Sequence, residues 1–198
     1  MVAAALTGTV ALLMALIAFG NITDFGTNQQ FVRHVLAMDT TFRDPDLMWR
    51  AVESRALQDA AYVAIVGWET VTALVLLLGT ARWAVALVRP AADPAARYER
   101  ARRTSTLGLL MVLLLFGVGF LAIGGEWFAM WQSQDWNGLG AATRYFTVAA
   151  LVLVLLHLPY RPWPAATPPD AAHRPDPAPP PGAAPPPGAA PPPGAPSR

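Results

Sequence analysis

One acidic side chain stands inside a long apolar run, and it is the residue best placed to do chemistry. Glu69 lies roughly ten residues from either end of the run 60–81, hence about 15 Å deep in a helix that rises 1.5 Å per residue. An acid at that depth costs about 2.5–3.5 kcal/mol on insertion scales and faces the inside of a bundle. Thr9, at a similar level of the first apolar run, is the expected partner of a neutral Glu69 carboxyl. The pattern predicts a hydrogen bond between helices, or else a proton relay or ligand anchor.

Four further charged residues flank the apolar runs on one side of the membrane. Glu126 and Arg144 bracket the segment between the third and fourth runs. An ion pair between them would clamp the two ends of that loop. Asp24 and Asp59 are rival partners for Arg144. These residues therefore predict structural ion pairs at the outer membrane interface.

The remaining ionisable residues do not form a catalytic or metal-binding pattern. His34 has no second histidine nearby, and Asp39, Asp44 and Asp46 lack the alternating spacing and central glycine of an EF-hand loop. The sequence has no cysteine, no nucleophile elbow, no phosphate loop and no paired carboxylates on one helix. We therefore predict turn and surface roles for these residues, and a protein that is not an enzyme and has no metal site or cofactor.

Four apolar runs must position these residues. They cover about 2–20, 60–81, 106–125 and 141–159 of a 198-residue chain. A helix of about 20 apolar residues crosses the hydrocarbon core, and only helices or closed barrels satisfy their backbone there. The first run lacks the basic n-region of a signal peptide, so we expect it to be retained. The sequence predicts an all-α membrane protein, in which residues 1–161 form a four-transmembrane-helix bundle.

The arginines indicate which way the bundle faces. All basic residues except histidine are arginine, and the segment between the third and fourth runs has none until Arg144. The segment between the second and third runs holds six: Arg82, Arg89, Arg97, Arg100, Arg102 and Arg103. Because cytoplasmic loops carry the excess of basic residues, we predict a multi-pass protein of a bacterial inner membrane with both termini in the cytoplasm. A net charge of +1 predicts no affinity for nucleic acid.

Tryptophans gather near the outer ends of the predicted helices. They are Trp49, Trp127, Trp131 and Trp136. Amphipathic rings of this kind sit at headgroup depth in an aromatic belt. The alternative is a stacking platform for an aromatic or sugar-like ligand.

The first outer loop, 21–57, is too long for a simple turn. The stretches 31–36 and 47–52 mix apolar and basic residues at short helical spacing, and Asp44-Pro45 between them is a turn signal. The loop is therefore predicted to contain two short interfacial helices on the outer leaflet.

Small residues predict where the helices approach each other most closely. Thr7, Ala11 and Ala15 are four apart in the first run, and Gly117, Gly119 and Gly124 open a surface on the third. We therefore expect the first and third helices to pack together.

Several runs in the outer loops are long enough to be specific. They are GNITDFGTN at 20–28, HVLAMDTTF at 34–42, LMWRA at 47–51, IGGEWFAMWQS at 123–133 and WNG at 136–138. Through them the chain resembles, over about residues 6–159, a bacterial family of predicted small integral membrane proteins, a domain of unknown function. The resemblance implies four transmembrane helices and no established activity.

The last part of the chain, 162–198, lies outside the resemblance. It contains three PPPGA units and cannot form a packed core. Such a sequence is typical of an extended polyproline II segment softened by glycine. We predict a disordered cytoplasmic tail that acts as a spacer.

Three functions are compatible with these features. The leading hypothesis is a non-catalytic accessory or structural subunit of a membrane complex, whose partner is an integral membrane protein or a second copy of the chain. The first alternative is a small transporter or proton pathway that uses Glu69. The second is a lipid- or quinone-binding protein, with the outer aromatics and Glu126 around a headgroup pocket. Membrane lipid is a partner in each case.

Overall fold

The computed structural model describes residues 1–90 and 92–159, and within those ranges all regular structure is helical. Four helices are long and apolar enough to cross a membrane, which confirms the predicted all-α architecture with four spans. The predicted tail lies outside the described residues. The helices are α1 (Val2–Thr23), α2 (Phe25–Ala37), α3 (Arg55–Val88), α4 (Pro94–Leu113), the π segment that continues α4 (Leu114–Trp127), and α5 (Leu139–His157).

Two of the four spans, α3 and the span formed by α4 and the π segment, extend well beyond their apolar runs. The Ser54 hydroxyl begins α3 by accepting a hydrogen bond from the Leu57 amide at 3.5 Å. Asp93 begins α4 in the same way, accepting from the Ala96 amide at 3.0 Å, and Pro94 occupies the first helical turn. Ser, Asp and proline are the residues that favour helix starts. Most arginines predicted for a loop therefore lie on α3 and α4, and the connection is only 89–93.

The long helices form a ring in chain order. α1 packs on α3, α3 on α4, α4 and the π segment on α5, and α5 on α1. Their shared core is apolar and includes Val10, Met14, Leu76, Leu109 and Phe116. The end of the bundle that carries α2 and the two long loops is called the outer end here, and the end with the α3–α4 connection the inner end.

The prediction that the first and third spans pack together is wrong. The extensive contacts of α1 are with α3 and α5. Gly117 of the π segment faces the Phe146 ring of α5, and Gly124 faces the methyl group of Met130. The close approach occurs between α3 and α4, where Gly108 lies against Leu76.

The first outer loop contains one helix and one turn of 3₁₀-helix. Helix α2 is longer than predicted and ends at Met38, whose φ of 52° is left-handed. Because Asn21 contacts Glu69 and Arg33 contacts Asp59, α1 and α2 together run antiparallel to α3. The second predicted helix is the single turn Met48–Arg50.

The two outer loops interlock and cover the outer end of the bundle. Thr40 and Ser133 share a hydrogen bond between hydroxyls at 2.8 Å, and the Gln132 side chain accepts from the Phe42 amide at 3.0 Å. Met38 is buried beneath them in a cluster with Phe128 and Ala129. Four of the runs that carry the family resemblance, 34–42, 47–51, 123–133 and 136–138, meet in this layer, which is called the outer cap below.

Candidate functional site

A buried hydrogen-bond network joins the outer end of α1 to α3. Glu69 is 1% exposed, and its Oε2 accepts from Asn21 Nδ2 at 2.6 Å. The Tyr62 hydroxyl donates to the Asn21 carbonyl at 2.7 Å. These three side chains are called the Glu69 network below. Glu69 lies inside the bundle, as predicted, because exposing an acid to lipid is costly.

Thr9 is not part of this network, contrary to the prediction. Its hydroxyl donates to the Ala5 carbonyl of its own helix at 3.0 Å, on an exposed face. The register of the two helices explains the difference. Gly8 lies opposite Thr80 of α3, so Thr9 is close to the inner end while Asn21 is level with Glu69.

Glu69 lines a cavity of about 190 Å³ whose walls are mostly apolar; it is called the polar cavity below because it holds the Glu69 network. Asn28 and Tyr145 contribute further polar groups to its wall, together with Asn21 and Tyr62. Only Oε2 of the Glu69 carboxyl has a hydrogen-bond partner within the described part of the chain. The cavity therefore offers several polar groups to a guest molecule.

A second cavity of about 210 Å³ adjoins the first and is almost entirely apolar. Phe31, Val32, Ile65 and Phe120 line both cavities. Ile123, which lines this second cavity, is 47% exposed. The cavity therefore reaches the outside of the bundle within a membrane-spanning segment, and it is called the apolar cleft below.

The π segment forms one wall of the apolar cleft. Its wider winding is seen at its end, where the Phe128 amide donates to the Ile123 carbonyl, five residues back, at 3.0 Å. α3 packs closely on α4 and only slightly on the π segment, so the cleft opens where the winding changes. Nearer the inner end, α3 and α4 are joined by a hydrogen bond from Trp68 Nε1 to the Met111 carbonyl at 3.0 Å. Extended π winding is rare and is found at functional sites.

Sequence reasoning missed this cleft. The signal was the density of glycine in the segment, at 117, 119, 124 and 125, which we interpreted as a helix-packing surface.

The four predicted tryptophans all lie in the outer cap, where Trp127, Trp131 and Trp136 each pair with a residue of α2 or the first outer loop. Trp49 and Trp127 meet edge to face, with ring centroids 5.6 Å apart. The Arg50 guanidinium lies 5.6 Å from the first centroid and 5.0 Å from the second, within cation–π range. Trp131 contacts Phe42 at 5.9 Å, and Trp136 stacks on His34 at 4.6 Å.

The predicted ion pairs of Arg144 do not form in the described residues. Asp59 instead binds Arg33 of α2, with Nη2 to Oδ1 at 2.8 Å, and accepts from the Gln29 amide at 2.9 Å. Arg144, Glu126 and Asp24 are exposed. The physical reason is that α2 runs along α3 and brings its own arginine to Asp59.

The other predicted polar residues take local roles. His34 Nδ1 lies 2.9 Å from the Asp39 carboxylate, and the Asp44 carboxylate accepts from the Asp46 amide at 3.0 Å in a turn. Across 1–90 and 92–159, no group of three or more His, Asp or Glu side chains is arranged to hold a metal ion.

Comparison with known proteins gives one match. The model of a family described as "Predicted small integral membrane protein (DUF2165)" matches residues 1–159, the whole described bundle. No curated protein and no solved structure matches the chain.

Proposed function

We propose that this protein has a non-catalytic role in binding an amphipathic molecule of the bilayer. The chain belongs to the family of predicted small integral membrane proteins whose model matches residues 1–159. One observation carries the proposal. The Glu69 network lines the polar cavity, which shares the lining residues Phe31, Val32, Ile65 and Phe120 with an apolar cleft that reaches the bundle surface.

The two cavities suit different parts of such a molecule. The apolar cleft suits an isoprenoid or acyl chain, because its walls are aliphatic and aromatic side chains. The Glu69 network and Asn28 suit a head with carbonyl or hydroxyl groups, as in an isoprenoid quinone or a lipid headgroup. A molecule that occupied both cavities, of about 210 and 190 Å³, would fill a volume in the range of small-molecule sites, about 300–1,000 Å³. Glu126, the acid first expected at such a pocket, lines neither cavity.

Gly119→Leu should empty the site without unfolding the bundle. A Cβ at Gly119 would meet only a methyl group of Leu115 at 3.9 Å, so the added side chain has room to enter the apolar cleft. Gly67→Leu is the matched control, because a Cβ there meets nothing within 4 Å. We expect mass spectrometry of the purified protein to find about one quinone or lipid per wild-type chain, and at least tenfold less in Gly119→Leu.

The control variant should retain the bound molecule at the wild-type level. A wild-type chain purified in mild detergent without such a molecule would contradict the proposal. So would equal loss from both variants, since that would trace the loss to the added bulk and not to the cleft.

The accessory-subunit hypothesis is supported by a different observation. Trp49 is 69% exposed at the outer cap, beside Trp127 and the Arg50 guanidinium. Aromatic residues and arginine are enriched in protein interfaces. The same purification tests this second candidate, because a stoichiometric protein partner, including a second copy of the chain, would be recovered with it.

We also propose that the protein lies in a bacterial inner membrane with its inner end in the cytoplasm. The arginines concentrated around the α3–α4 connection support this orientation. Four spans would place both termini on the same side.

Reporter fusions test this topology. A periplasm-active phosphatase fused after Asp93 or after Arg198 should be silent, and one fused after Asp135 in the second outer loop should be active. Activity at Asp93 together with silence at Asp135 would show the opposite orientation.

A further inference from the structure

A groove lined by arginines lies at the inner end of the bundle, between the end of α3 and the start of α4. Its volume is about 350 Å³, and its lining is Leu78, Ala81, Arg82, Val85, Arg97 and Arg100. We propose that this arginine groove binds the phosphate group of an anionic membrane lipid. It is at the opposite end of the bundle from the outer cap and does not depend on the function proposed above.

Two arginines of the groove bond with neutral groups. Within the described residues, Arg82 donates to the Thr104 hydroxyl, and Arg97 donates to the carbonyls of Arg89 and Pro90 at 3.1 and 3.3 Å. These partners are neutral, so the groove keeps its positive charge. Guanidinium groups recognise phosphate through paired N–H donors.

The nearest acid on α4 is already used outside the groove. Glu99 accepts from Arg102 at 2.8 Å and from Arg103 at 2.7 Å. The same helix therefore carries two kinds of arginine, one pair neutralised by an acid and one pair lining the groove.

The groove lies at the depth of the lipid headgroups, which favours a lipid as the source of the phosphate. Tyr98, next to Arg97 on α4, is 40% exposed, and an exposed tyrosine near the end of a span marks headgroup depth. Leu78 and Val85 are both exposed and line the same groove, where they can contact acyl chains. Basic pockets between transmembrane helices bind anionic headgroups.

The test measures lipid adducts of the full chain by native mass spectrometry. Phosphatidylglycerol is titrated against phosphatidylcholine, for the wild type and the double variant Arg97→Gln/Arg100→Gln. We expect wild type to prefer phosphatidylglycerol and the variant to bind it about 10- to 30-fold more weakly. The control is Arg102→Gln/Arg103→Gln, which removes the same charge and leaves Glu99 unpaired, and it should lose less than about threefold.

Each other outcome overturns the proposal. If the control loses as much affinity as the groove variant, the preference is general attraction to a basic surface. If inorganic phosphate or glycerol 3-phosphate at millimolar concentration displaces the lipid, the groove binds a soluble phosphate compound. A thermal melt of both variants checks that the bundle is folded, so that loss of binding can be separated from loss of structure.

Discussion

Gly79→Leu is expected to prevent the bundle from folding, whereas Gly67→Leu in the same helix should leave it folded. A Cβ on Gly79 would lie 2.8 Å from the Ser105 hydroxyl and 3.3 Å from the Ser105 backbone nitrogen. The hydroxyl cannot move aside freely. It donates to the Ala101 carbonyl at 3.0 Å and accepts from Trp83 Nε1 at 3.0 Å.

Alanine at the two positions should give effects of opposite sign. Gly79→Ala must push α4 away from α3, and overpacking of this kind costs about 1–3 kcal/mol. Gly67→Ala meets nothing within 4 Å and should gain up to about 0.5–1 kcal/mol, because alanine favours a helix over glycine. Thermal unfolding in detergent measures both changes. Equal melting temperatures for the two alanine variants would show that the α3–α4 contact is looser than the distances imply.

The spans could be predicted because the bilayer imposes their length and composition. About 20 apolar residues must be consecutive whatever the helices pack against, so hydropathy alone locates them. The same reasoning placed Glu69 inside the bundle, since an acid facing lipid costs too much. The tryptophans at 49, 127, 131 and 136 lie in the outer cap for a related reason, their affinity for the interface.

The partners of these residues could not be predicted, because they depend on register between helices. Hydropathy gives the depth of Glu69 along one helix, and Thr9 matched that depth only on the assumption that both runs begin at the same level. The structure continues α1 into α2 along α3, which brings Asn21 to Glu69 and Arg33 to Asp59. The hydropathy of an apolar run does not indicate how far one helix is displaced along its neighbour.

The apolar cleft was unpredictable for a different reason. Four glycines in the π segment permit close packing and also permit a change of winding, and local sequence does not decide between them. The contacts that other elements make with this helix, such as Trp68 bonded to the Met111 carbonyl and Phe146 packed on Gly117, cannot be read from the local sequence.

Glu69→Leu is expected to destabilise the bundle, and Asn21→Leu in the same chain should restore much of the loss. In the single variant the Asn21 amide is left without its acceptor at a partly buried site, and an unsatisfied donor costs up to about 1–3 kcal/mol when fully buried. In the double variant both polar groups are gone, and replacing both partners by apolar groups is nearly neutral. Melting temperatures of the two single variants and the double variant give a coupling energy, which we expect to be about 1 kcal/mol.

Glu69→Gln separates a structural role from a chemical one. The glutamine carbonyl can accept from Asn21 as the carboxyl does, so the melting temperature should stay within about 2 °C of wild type, the shift that roughly 0.5 kcal/mol produces in a domain of this size. If Glu69 only joins the helices, the bound molecule and the growth of cells that depend on the protein should also be unchanged. A glutamine variant that melts normally, retains its bound molecule and fails to support growth or proton flux would contradict that role. It would mean that the proton on Glu69 is used, because the two side chains have nearly the same shape and only glutamate can ionise.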